Sequence, residues 1–275
     1  MKYAHAFHAG NFADVHKHVT LVALLQALEH KDKGFLYLET HAGRGAYELD
    51  SSAEGRASAP AIARLIAQGS AHPELVAYAG VIEAWRARND AAQAYPGSPL
   101  IAALLLRPQD RAVLIEIQAE EAAALERVLP RAARAHVMQG DGFQALRAHL
   151  PPRERRGLTL IDPPYEAAGD FARAATAVTE ALRRFATGIV ALWYPIKDSR
   201  DTAAWLDALR PHIEREALLA ELWVHPCDSR VALNGSGVLI VNPPFRLRER
   251  MRSWLADLHR LLDPQLGGGT RVRLL

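Results

Sequence analysis

The chain has 275 residues, 49% of them hydrophobic, which suits one large domain, or one domain with an insert, around a sizeable core. Lysine and arginine exceed aspartate and glutamate by two, 33 against 31, a balance that permits a nucleic-acid partner without demanding one. A single cysteine, Cys227, excludes an internal disulfide. No Cys/His spacing suits a metal, the opening MKYAHAFHAGN has no apolar leader stretch, and no apolar run nears the ~20 residues of a membrane span, so a cytoplasmic protein is expected.

From Asn11 or Asp14 to about His30, apolar residues at three- and four-residue spacing predict a helix. Residues 35–39 (FLYLE) read as a short strand and 40–46 as a glycine-containing turn. The segment 51–95 is alanine-rich and lacks strand signals, with helices expected around 59–68 and 74–89. Ser98 and Pro99 then suit the N-cap and first position of another helix. Strands follow at 112–116, 135–138, 158–162 and 188–194, with helices at 120–129, 142–149, 170–185 and 202–209. Strands at 217–225 and 237–241 come last, joined by the helix-free loop PCDSRVALNG, and the tail from Leu262, with Gly267 to Gly269, is expected to be loose at its end.

Alternating strands and helices predict a parallel sheet covered on both faces. The short link between the last two strands predicts an antiparallel pair, because a parallel pair needs a longer crossover. Six parallel strands and one reversed strand make a seven-stranded, Rossmann-like α/β methyltransferase architecture. Glu116 follows Glu39 by 77 residues where one βαβ step takes about 30, so 51–95 is predicted to be a small helical subdomain inserted in a main domain of 1–50 and 96–275.

Ligands of such sheets bind outside the carboxyl ends of the strands. Three strand ends carry suitable residues. The turn from Glu39 to Gly45 places His41 beside Gly43 and Gly45, which let backbone approach a ligand or simply make a turn. Glu116 suits two ribose hydroxyls, or is a solvated strand-end acid. Asp141 suits an adenine amino group, with Gly142 permitting close approach, or is a helix cap. Taken in order, and followed by a fourth strand ending in LIDPPY, they fit S-adenosylmethionine better than NAD, since the glycine turn is not GxGxxG.

In that last motif, Asp162 and the Pro163 carbonyl can accept the two hydrogens of an amino group conjugated to a ring, and Tyr165 offers a ring for stacking. Prolines 163 and 164 stiffen the turn. A second copy, VNPPF at 241–245, ends the reversed strand and so falls at the opposite edge of the sheet, where it reads as structural.

The stretches YAHAFHAGNFADVHKH, THAGRG, YPGSPL, DGF, RRGLTLIDPPYE, RFATGIVALWYP and VNPPF, spread over nearly the whole chain, resemble the RlmJ family of bacterial 23S rRNA adenine-N6 methyltransferases. The resemblance implies a class I methyltransferase fold with a helical insert, S-adenosylmethionine as methyl donor, and an adenine of large-subunit rRNA as target. It implies cofactor contacts from His18, His41, Ser98, Glu116, Asp141 and Gly142, with Gly43 in the same turn. Asp162 would be catalytic and cofactor-contacting, Tyr3 would touch the RNA, and Lys17 would line the same pocket. Ile117-Gln118 departs from the polar or His-containing pair expected after Glu116.

Lys197 and Arg200 face the expected active-site edge and are candidates for RNA contact, alongside Lys2, His5, Arg44 and Arg230; the arginine runs at 153–156 and 246–252 read as solvated surface. The expected substrate is 23S rRNA, protein-free or in an early assembly intermediate, acted on by a monomer without metal. DNA adenine-N6 methylation, glutamine-N5 protein methylation and a non-catalytic nucleotide- or RNA-binding module are the competing readings.

Overall fold

The Asn11 side chain accepts the Asp14 N–H at 2.8 Å and so starts helix α1, Phe12–Glu29. The computed structural model describes residues 9–49, 53–226, 229 and 233–275, excepting the side chains of 53–56. Helix α1 is buried along almost its whole length, because it lies across the sheet and is covered in turn by other helices. Strand β1, Leu36–Glu39, leads into a turn in which Gly43 and Gly45 adopt φ of 64° and 81°, a region that favours glycine.

The chain then forms β2, Ala46–Glu48, helices α2, Ala53–Gln68, and α3, Pro73–Asn89, and β3, Ala94–Pro96. Strands β2 and β3 pair antiparallel, with Tyr47 opposite Tyr95, a ribbon that patterning did not reveal. Ile62, Leu65, Leu75, Tyr78 and Ile82 of the two helices join the same apolar core as Leu24 and Tyr37. Helix α4, Ser98–Leu105, is capped by Gly97 and not by Ser98, which occupies the first helical position. The Ser98 hydroxyl turns instead to Glu39, at 2.5 Å.

The alternating half follows the expected order: β4 Arg111–Glu116, α5 Ala119–Val128, β5 Ala135–Gln139, α6 Gly142–His149, β6 Gly157–Ile161, α7 Asp170–Arg184, β7 Ile189–Ile196, α8 Ser199–Leu209, β8 Ala217–Trp223 and β9 Gly235–Val241. Strand β1 lies between β4 and β6 and is parallel to both, while β9 runs antiparallel to β7 and β8.

The tail corrects one expectation. Helix α9, Leu247–Leu262, buries Leu247, Met251, Trp254, Leu255 and Leu258. Strand β10, Gly269–Leu274, then pairs antiparallel with β8 as an eighth strand, giving the order β10-β8-β9-β7-β6-β1-β4-β5. The glycine run is what allows this. A Cβ on Gly268 would sit 1.8 Å from the Trp223 carbonyl oxygen, and the Gly268 N–H donates to Asp263 at 2.9 Å. Arg271 then pins the strand through Glu221, 2.7 Å away. No helix among the described residues is long and apolar enough to cross a membrane.

Candidate active site

Three acids of the site stand at or just past the ends of parallel strands. Glu39 ends β1, Glu116 ends β4 and Asp162 follows β6; Glu39 is in register with Leu114 on one side and Leu160 on the other. These ends, α1 and the turn after β1 enclose a cavity of about 770 Å³. His18, His41, Gly43, Ser98, Glu116, Asp162, Pro163, Tyr165, Lys17 and Lys197 all line it.

At one end, Glu116 is held by two backbone donors, Gly43 N–H to Oε2 and Gln118 N–H to Oε1, each at 2.8 Å. Each oxygen keeps a lone pair for a further donor. Ile117, 61% exposed, lines the cavity beside it, so the departure noted after Glu116 puts an apolar surface there. His41 hydrogen-bonds to Thr40 through Nδ1 at 2.8 Å, and burial pulls its pKa down to about 4, so the ring is neutral near pH 7.

At the other end, Lys17 of α1 reaches Asp162 Oδ2 at 2.6 Å and Asp14 Oδ1 at 2.8 Å. Burial alone would lower the Lys17 ammonium; the two carboxylates outweigh it and hold it above its usual range. Glu39, fully buried, accepts from Ser98 and from the Tyr37 hydroxyl at 2.9 Å. Burial pushes its pKa up to about 8 against the pull of those two hydrogen bonds, so the carboxyl is largely neutral at pH 7 beside the ionic Lys17–Asp162 pair.

Tyr165 lines the cavity but differs from the free stacking ring expected. It is 6% exposed, packs at 4.6 Å from Phe171 and 5.7 Å from Trp193, and donates its hydroxyl to the Trp193 carbonyl at 2.6 Å. Trp193 is the less buried of the two. Its indole N–H donates to Ser236 at 2.9 Å and its ring lies 5.6 Å from the Lys17 ammonium.

Four expected residues lie off the cavity lining, Arg44 among them, paired with Glu121 at 3.1 Å. Asp141 caps α6 through Phe143 N–H at 2.9 Å and pairs with Arg173 at 3.2 Å. A Cβ on Gly142 would meet the Thr40 carbonyl oxygen at 1.8 Å, so glycine lets the start of α6 lie against the turn after β1. Arg200 is exposed on the first turn of α8, its N–H accepted by Asp198 at 2.7 Å. Lys2, Tyr3, His5 and Arg230 lie outside the described residues. Asp14, Glu39 and Trp193 were missed in the sequence. Glu39 is a strand-end acid like Glu116 and carried the same signal; Asp14 and Trp193 carried none beyond a helix start and an aromatic in a strand. Among the described residues, no cluster of His, Cys, Asp or Glu is placed to hold a metal ion.

Residues 32–275 match the family described as "Ribosomal RNA large subunit methyltransferase D, RlmJ". The ribosomal RNA large subunit methyltransferase J of Escherichia coli is 42% identical over 274 residues, covering 99% of this chain and 98% of that protein. The protein of the same name from Haemophilus influenzae is 38% identical with the same coverage. The crystal structure of protein LPL1258 from Legionella pneumophila superposes with a TM-score of 0.87 at 34% identity, covering 97% of this chain and 98% of that one.

Proposed function

This chain belongs to the RlmJ family of ribosomal RNA large subunit methyltransferases, and we propose that it methylates the exocyclic N6 of an adenine in 23S rRNA with S-adenosylmethionine as donor. The observation that carries the reading is that Asp162 and Pro163 stand at the carboxyl end of β6, beside the end of β1, in one cavity with Glu116.

The donor set fits the cofactor. The remaining lone pairs of Glu116 suit a ribose diol, Ile117 gives an apolar surface for a purine, and His18, His41, Gly43 and Ser98 complete the wall between Glu116 and Asp162. Asp141 and Gly142 are proposed to contribute from the turn after β5. When bound, S-adenosylmethionine supplies an electrophilic methyl group on sulfur.

The residues of the chain do the rest. Lys17 engages Oδ2 of Asp162, which leaves Oδ1 to accept one N6 hydrogen of a flipped-out adenine, while the Pro163 carbonyl accepts the other. Two acceptors in fixed directions orient the nitrogen and localise a lone pair otherwise delocalised into the ring. Positioning of this kind is worth ~7–11 kcal/mol. The carboxylate also stabilises positive charge developing on N6, a preorganised partner that removes no proton before the methyl moves. Tyr165 and Trp193 together form the aromatic wall for the base. Lys197, Arg200 and Tyr3 are proposed to hold the flanking RNA, and residues 51–95 to form an inserted subdomain of a monomer acting on protein-free or early-assembly rRNA.

The test is methyl transfer from labelled S-adenosylmethionine to total RNA, DNA and protein from cells lacking this enzyme. Label in RNA, recovered as N6-methyladenine in 23S rRNA, is expected. Label confined to DNA or to protein would replace this reading with one of its competitors.

A further inference from the structure

Trp193, on β7, lines the cavity and is only partly buried. Its indole N–H donates to the Ser236 hydroxyl of β9 at 2.9 Å. Val238 is the residue in register with Trp193, and Pro195 the one in register with Ser236. The bond therefore runs diagonally across two antiparallel strands, within reach of a long aromatic side chain. Ser236 is completely buried and lies off the cavity lining, so the one polar atom of the indole points into the protein.

One hydroxyl thereby ties three elements together. The Ser236 oxygen lies 2.9 Å from Nδ1 of His16 and 3.5 Å from the Ala13 carbonyl, both on α1. His16 is completely buried, and burial pulls its pKa down to about 3, so no charge forms behind the indole. If Nδ1 is bare, the serine hydrogen goes to it. If Nδ1 carries a hydrogen, His16 donates to the serine and the serine donates to Ala13. In both cases α1 takes the serine hydrogen and a lone pair faces Trp193. An indole turned half-way round on its strand would lose this acceptor, so one ring orientation is selected. Lys17, the next residue of α1, sets its ammonium 5.6 Å from the same ring and 2.6 Å from Asp162, so the indole and that carboxylate are registered to one helix.

We propose that Ser236, backed by His16, is a positioning residue for methyl transfer: it fixes the plane of the Trp193 indole as the platform on which the target base stacks, in register with Asp162. The proposal rests on the reading of Trp193 as part of the aromatic wall for the base. With its N–H turned inward, the indole offers the base a face and no hydrogen bond. The wall then sets the plane of the base, and recognition of its amino group is left to Asp162 and the Pro163 carbonyl.

Two measurements test it. With RNA from cells lacking the enzyme, kcat per folded molecule should fall about tenfold in Ser236→Ala, while S-adenosylmethionine affinity stays within about twofold of wild type. Trp193→Phe keeps a ring and loses the N–H; adding Ser236→Ala to it should cost nothing more, because the serine acts through that N–H. In full-length protein with ¹⁵N-labelled tryptophan, the Trp193 indole signal should shift in Ser236→Ala while the other indole signals stay in place. An equal fall from Ser236→Ala in both backgrounds overturns the proposal, as does wild-type turnover in Ser236→Ala or an unmoved Trp193 signal. Wild-type turnover in Trp193→Ala also overturns it and removes Trp193 from the base wall. The labelled-methyl assay on RNA decides the methylation reading separately.

Discussion

Two Pro-Pro turns of nearly the same sequence end two strands of one sheet and do different work. Asp162 follows β6, which runs parallel to β1, and its carboxylate meets the Lys17 ammonium at 2.6 Å in the cavity wall. Asn242 follows β9, which runs the other way, and its amide donates to the carbonyls of Ala186 and Gly188 at 3.0 and 2.8 Å, closing the entry to β7. Both turns hold left-handed residues, Tyr165 at φ 53° in the first, Asn242 at φ 55° in the second. The aromatic that closes each motif diverges most: Tyr165 is 6% exposed and Phe245 88%. Strand direction alone puts one turn among charges and the other among carbonyls, and the side chain at the first position follows: an acid where a cation waits, an amide where only acceptors do.

The largest effect should come from exchanging that first residue at the cavity. Asp162→Asn keeps the shape and loses the charge, and kcat should fall roughly 10²–10³-fold with cofactor affinity within a few-fold, measured by single-turnover methyl transfer and titration. Near-normal turnover would remove the distinction between the turns. Next comes pH. The folded-state pKa of Glu39 is raised from 4.5 to about 8, so the stability of its neutral form is full below pH 4.5 and is lost as pH climbs through 8. The slope over that window reaches at most about 1.4 kcal/mol per pH unit, and Glu39→Gln should flatten it in denaturant melts.

The converse exchange, Asn242→Asp, sets a carboxylate against two carbonyl oxygens and should cost about 1–3 kcal/mol of stability, with turnover per folded molecule unchanged. A loss of turnover there would mean that the rear turn reaches the chemistry. Tyr165→Phe removes only the hydroxyl bond to Trp193 and should cost about 1 kcal/mol. Phe245→Ala, at an almost fully exposed ring, should leave stability within about 0.5 kcal/mol.

Much of the frame was readable one segment at a time. The helices at 142–149 and 170–184 and the strands at 111–116 and 157–161 show as changes of hydrophobic period, and the short link after β8 was enough to predict the reversal of β9. Other parts were hidden by a stronger local signal. The apolar stripe of α9 lies under a run of arginines that reads as surface, and the glycines before β10 read as slack although Gly268 is there to let the chain lie against Trp223. Ser98 resembles a cap because capping chemistry is local, whereas its actual partner, Glu39, is 59 residues away.

The division follows from range. Turn rigidity, strand ends and helix periods are set by backbone sterics and side chains within a few residues, and these the sequence determined unaided: where the strands before Asp162 and Asn242 stop, and that an acid or an amide stands there. Which of those groups became ionic, neutral or buried was decided only when α1 crossed the sheet and brought Lys17 to an aspartate 145 residues distant, and when strand order seated Glu39 between β4 and β6. Coulombic pairing and desolvation depend on distances through space, which no local pattern encodes.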